Sequence, residues 1–75
     1  RLAPQVALTL WIAEGRRQHA VETLQAQGWS ANTNGRGTVV VQVPAAEKMN
    51  ALQCLAEQGI QVNDFETEGV GKPWN

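Results

Sequence analysis

Apolar and polar residues alternate over residues 6–12, with Val6, Leu8, Leu10 and Ile12 set against Ala7, Thr9 and Trp11. This is the two-residue period of a strand with one buried face. The period then lengthens. Over residues 14–27, Ala20, Val21 and Leu24 form one apolar stripe, while Arg16, Arg17, Glu22 and Gln25 spread over the rest of the circumference, which predicts a helix. Gly28 stops it, because a residue without a Cβ enters the left-handed region at little cost.

Residues 29–33 read as a short polar strand, and Asn34-Gly35 supplies the dipeptide of a type I′ hairpin turn. Residues 38–43 follow as the strand with the strongest β propensity, with Val39, Val41 and Val43 on one face and Thr38, Val40 and Gln42 on the other. Pro44 suits the first turn of a second helix over residues 45–58, where Glu47 complements the helix dipole. Its buried stripe is expected to be Met49, Leu52, Leu55 and Ala56, with Gly59 as the stop. The last strand, residues 60–67, changes phase: Ile60 and Val62 share one parity and Phe65 has the other. A straight strand cannot bury all three, so a bulge or twist is predicted near Asn63-Asp64.

The run Leu24-Gln25-Ala26-Gln27-Gly28-Trp29-Ser30-Ala31-Asn32 aligns without gaps on Leu55-Ala56-Glu57-Gln58-Gly59-Ile60-Gln61-Val62-Asn63. Each copy contains a helix end, a glycine stop and a strand start, as two βαβ halves should. Right-handed crossovers joined through a hairpin then give a βαββαβ open-faced sandwich of the ferredoxin-like type. Its antiparallel sheet has the order 4-1-3-2, with both helices on one face. The apolar strands become central and the polar ones become edges.

Seventy-five residues, 43% hydrophobic and 17% charged, fit one globular domain over residues 1–75, with residues 69–75 as a loose tail. Six Lys and Arg against seven Asp and Glu give a net charge of -1, too little field to hold a nucleic-acid backbone. No stretch approaches the length of a membrane helix, the longest apolar-rich run being residues 6–13. Arg1 as the first residue suggests a fragment or a processed product, so a missing leader carries no information about compartment.

Candidate chemistry is sparse. The single histidine, His19, lies mid-helix with no nucleophile motif around it, and is read as solvent-facing or partly packed. Cys54 cannot form an internal disulfide and is read as a small filler, the thiol pair of copper-handling loops being replaced by Ala13-Glu14-Gly15-Arg16-Arg17. Asp64, Glu66 and Glu68 share a strand face and are read as guards against sheet-to-sheet aggregation rather than as a cation site. Gly69-Val70-Gly71-Lys72 lacks the spacing and following helix of a phosphate loop. No catalytic residue, cofactor or metal set is therefore expected. The suggestive feature is Trp11, on the sheet face away from the helices with Thr9, Val40 and Gln42, where a partner could dock or the tail with Trp74 could cover it. Arg16 and Arg17, at the start of the first helix, are candidates for an anion or an acidic partner.

Three segments carry a family resemblance: Leu2-Ala3-Pro4-Gln5-Val6-Ala7-Leu8, Gly37-Thr38-Val39-Val40-Val41-Gln42-Val43-Pro44 leading into Lys48-Met49-Asn50-Ala51-Leu52, and Leu55-Ala56-Glu57-Gln58-Gly59-Ile60-Gln61-Val62. In these the chain resembles the C-terminal accessory domain of bacterial ABC transporter ATP-binding subunits, of the copper-related type that serves nitrous oxide reductase maturation. The resemblance implies that ATP hydrolysis belongs to a core outside this chain. It also implies that the domain regulates or docks, and that it works in the cytoplasm, at the membrane only through a transporter complex. A non-catalytic regulatory or protein-interaction domain is thus the leading expectation, with a protein partner or an attached ATPase core, no nucleic acid and no membrane insertion. Homo-oligomerisation stays open. The alternatives are a small-ligand sensor of the amino-acid-binding type and, behind it, a metal-handling domain.

Overall fold

The computed structural model describes residues 5–34 and 37–69, and of residues 68 and 69 the backbone only. Four strands, β1 (Gln5–Ile12), β2 (Ser30–Thr33), β3 (Val39–Pro44) and β4 (Val62–Gly69), form one sheet in the order β2-β3-β1-β4. Every neighbouring pair is antiparallel. Helices α1 (Arg17–Ala26) and α2 (Lys48–Glu57) link β1 to β2 and β3 to β4. The fold is the ferredoxin-like βαββαβ sandwich, with the 4-1-3-2 order that the right-handed crossovers predict.

One face of the sheet makes the core. Val6, Leu8, Leu10 and Ile12 of β1, Ala31 of β2 and Val39, Val41 and Val43 of β3 are buried together with Ala20, Val21 and Leu24 of α1 and Ala51 and Leu55 of α2. The two-residue and 3.6-residue periods therefore converge on a single apolar layer. The α1 stripe is the one its sequence predicts. The α2 stripe is so in part: Leu55 is buried and Leu52 partly buried as expected, but Ala51 is buried too, and Ala56 and Met49 face outward, Met49 at 69% exposure. A small residue at position 51 lets α2 approach the sheet and α1 closely. The helix accordingly turns its alanine inward and leaves the longer methionine outside, a single exposed apolar side chain of the kind common on protein surfaces.

The two halves repeat in detail. Each helix is preceded by a three-residue 3-10 turn, Glu14–Arg16 or Ala45–Glu47. Each is followed by a glycine at positive φ, Gly28 at 94° or Gly59 at 76°. The next amide closes back on the helix, Trp29 N–H on Leu24 O at 3.4 Å and Ile60 N–H on Leu55 O at 3.0 Å. This is the glycine-dependent helix stop expected at both sites.

The hairpin between β2 and β3 closes differently from the predicted type I′ turn. Thr33 pairs with Val39 and Ala31 with Val41, Asn34 N–H donates to Thr38 O at 3.0 Å and Gly37 N–H to Asn34 O at 3.3 Å. Among the described hairpin residues, the one at positive φ is Gly37, at 82°. Burial disfavours the register of a two-residue turn, which would set exposed Ser30 opposite buried Val39; pairing Ala31 with Val41 puts both side chains into the core. Gly35, the tail beyond Gly69 and Trp74 lie outside the described residues.

In β4 the pairing to β1 slips between Trp11 and Ile12: Trp11 faces Asp64 while Ile12 faces Val62. Asn63 is the extra residue, at the step where the change of phase predicts a bulge. The bulge lets Val62, opposite Ile12, and Phe65, opposite Leu10, both lie on the helix side. Ile60 is buried ahead of the strand rather than within it, and β4 runs on to Gly69.

Candidate functional site

With both helices on one side, the other side of the sheet is left without a covering element among the described residues. Strand alternation places Gln5, Ala7, Thr9 and Trp11 of β1 there, with Val40 and Gln42 of β3, Ser30 and Asn32 of β2, and Asp64 and Glu66 of β4. Thr9 lies between Val40 on one side and Glu66 on the other, and Ala7 lies beside Gln42. Thr9, Val40 and Ala7 are half-buried by their neighbours, whereas Gln42 is exposed and Trp11 is 38% exposed. The sequence-predicted group Trp11, Thr9, Val40 and Gln42 is thus brought onto one continuous surface. Its described ionisable groups, Asp64 and Glu66, are both acidic.

Arg16 and Arg17 do not join this surface as a pair. Arg16 is exposed at the cap of α1 and its amide donates to Ala13 O at 2.9 Å. Arg17 is half-buried, and its Nε donates to Ile12 O at 3.0 Å. A Cβ added at Gly37 would lie 3.2 Å from Arg17 Nη2, so the guanidinium packs on the backbone of the β2–β3 hairpin. Arg17 therefore ties the end of β1 to that hairpin, a role that depends on residues twenty positions away.

Elsewhere, His19 is exposed on α1. Cys54 is a half-buried free thiol in a shallow, mainly polar depression with Gln27, Trp29, Glu47, Asn50, Gln53 and Glu57. Trp29, half-buried against the core, donates its indole N–H to Glu47 Oε1 at 3.2 Å. Glu47 thereby links the start of β2 to the turn before α2, in addition to lying near that helix N-terminus. Among the described residues no three His, Cys, Asp or Glu side chains gather as a metal site would require, and no helix is long and apolar enough to cross a membrane.

A second surface is absent from the sequence-level expectations. Between α2 and β4, Leu52, Ala56, Ile60, Gln61, Val62 and Phe65 line an open apolar groove of about 350 Å³. Phe65 is 46% exposed there. The signal for it is the phase change at Asn63-Asp64, which sends Phe65 to the helix side at a point where α2 packs only lightly on β4. Compared with family models, curated proteins and solved structures, the chain gives no match in any of the three.

Proposed function

We propose that this is a non-catalytic interaction domain that docks a protein partner on the uncovered sheet face, with Trp11 as the anchor. The observation that carries the reading is the position of Trp11: a large aromatic side chain, 38% exposed, on a face that neither α1 nor α2 covers. Burying a tryptophan contributes more to an interface than most residues, because it removes a large apolar area from water at little rotamer entropy. Half-buried Thr9 and Val40 give it a firm, flat surround, and exposed Gln42 and Asn32 offer hydrogen bonds at the margin. In the form that the family resemblance gives this reading, the partner is the ATPase core or another subunit of a transporter, and the domain regulates rather than catalyses.

Heteronuclear shift mapping of the chain against free amino acids, copper(I), zinc and ATP tests this, with sedimentation to give the oligomeric state. Silence toward every small molecule is the expected result. Affinity capture with wild type and Trp11→Ala in parallel should then show a partner lost with the indole. Saturable shifts at residues 13–16 with an amino acid would favour a sensor instead and overturn the proposal. Shifts centred on Cys54 or His19 with a metal would do the same.

A further inference from the structure

Among the described residues β2 and β4 are the two edges of the sheet, and the repeat treats them differently. At the β2 edge, Gln25 Nε2 donates to Ala31 O at 2.7 Å, so a side chain from α1 occupies a backbone acceptor there. The residues at the matching positions of the second half are Ala56 and Val62. Ala56 has no side-chain donor to offer the Val62 carbonyl, so the bond has no counterpart there, and both residues line the apolar groove beside β4. The β4 edge is also twice as long, eight residues against four.

Resting on the reading of the domain as an interaction module, we propose that β4 accepts an extended segment of a partner as an added strand, one whose residues alternate between basic and apolar. A strand laid beside β4 would point successive side chains to opposite faces. On the uncovered face they would meet Asp64 and Glu66, the residues opposite Trp11 and Thr9. On the helix face they would meet Phe65, Val62 and Leu52 in the groove. Opposite charges directly across a strand pair stabilise the pairing and like charges oppose it, so the acidic row selects lysine or arginine and rejects a second copy of β4. One edge donor is guarded: Phe65 N–H donates to Asp64 Oδ1 at 2.8 Å. A basic side chain arriving opposite Asp64 draws that carboxylate away and frees the amide for the incoming carbonyl, which couples charge recognition to backbone pairing.

The test is a shift titration of the full chain with three nine-residue peptides: alternating lysine and valine, alternating glutamate and valine, and the lysine peptide with alternate backbone amides N-methylated. The first should give saturable shifts over residues 62–67 and at Leu52, weakened about tenfold by Glu66→Gln or Asp64→Asn and weakened further by high salt. The other two should not bind. Equal binding of the glutamate peptide overturns the charge selection, and equal binding of the methylated peptide overturns strand addition. No shift with any peptide up to about 1 mM, the weak end of specific recognition, overturns the proposal and leaves docking at Trp11 to its own small-molecule and capture experiments.

Discussion

Thr9 and Val40 face each other across the central strand pair, and their offset of 31 positions is the interval that relates the two halves of the chain. Leu8 and Val39, Ala20 and Ala51, Leu24 and Leu55, and Gly28 and Gly59 are all separated by the same interval. The local twofold axis of the domain therefore passes through the Thr9–Val40 pair, in the middle of the uncovered face. Trp11 lies beside that axis on one half only; its counterpart is Gln42. The fold is nearly symmetric: β4 is longer than β2 and bulged, and on the uncovered face the two halves differ in their side chains.

Leu24 and Leu55 are fully buried at matching positions of α1 and α2, and each accepts the amide that closes its helix stop. Truncating either to Ala should remove about 3 kcal/mol of stability, through lost burial and a residual cavity. Urea unfolding of the two variants should show similar losses, a large share of the 5–15 kcal/mol available to a typical domain. A loss below about 1 kcal/mol at either site would show that the helix there is not held by the core as described.

Gly37 combines a φ of 82° with the close approach of the Arg17 guanidinium. Gly37→Ala should therefore cost about 1–2 kcal/mol, more than the backbone preference alone. Adding Arg17→Ala should make the two changes less than additive, since the obstructing group is gone. A double-mutant cycle by chemical denaturation measures this; strict additivity within about 0.3 kcal/mol would contradict the contact.

The bulge at Asn63 gives a third expectation. Deleting Asn63 removes the extra residue while keeping Ile12 opposite Val62 and Trp11 opposite Asp64. The domain should fold with a loss of no more than about 2 kcal/mol. Deleting Glu66 has no bulge to absorb it, and turns Phe65 or its neighbours to the wrong face. Amide spectra of the two deletions distinguish these outcomes: a native pattern for the first and a disrupted one for the second.

Trp29 binds Glu47 through its indole N–H at 3.2 Å. Trp29→Phe should lose about 1 kcal/mol beyond what the smaller ring explains, the usual net value of such a bond. Glu47→Gln keeps an oxygen acceptor and should lose less than Glu47→Ala. Equal losses for the two Glu47 variants would contradict a hydrogen-bonding role.

Much of this architecture is legible in the residue pattern, because burial on one face of a strand or helix imposes a period. Val6 to Ile12 and Val39 to Val43 show the sheet face, Ala20, Val21 and Leu24 show α1, and the broken parity around Asn63 shows the bulge. The α2 stripe is less legible, since Met49 has the hydropathy of a core residue, while the closeness of the helices favours the small Ala51. The hairpin dipeptide Asn34-Gly35 advertises a turn locally, but register is set by the distant pairing of Ala31 with Val41. At the candidate site, alternation alone brings Trp11, Thr9, Val40 and Gln42 together. The position of Arg17 against Gly37 and the groove at Phe65 depend on how separate elements pack, which no local pattern encodes.

Urea unfolding of Trp11→Ala is the most direct test of the central claim, that Trp11 stands on an uncovered face as a contact residue. The midpoint and slope should stay close to wild type, with no more than about 1 kcal/mol lost from its partly covered ring. A loss of about 3 kcal/mol or more, the signature of a large side chain removed from a closed core, would contradict it.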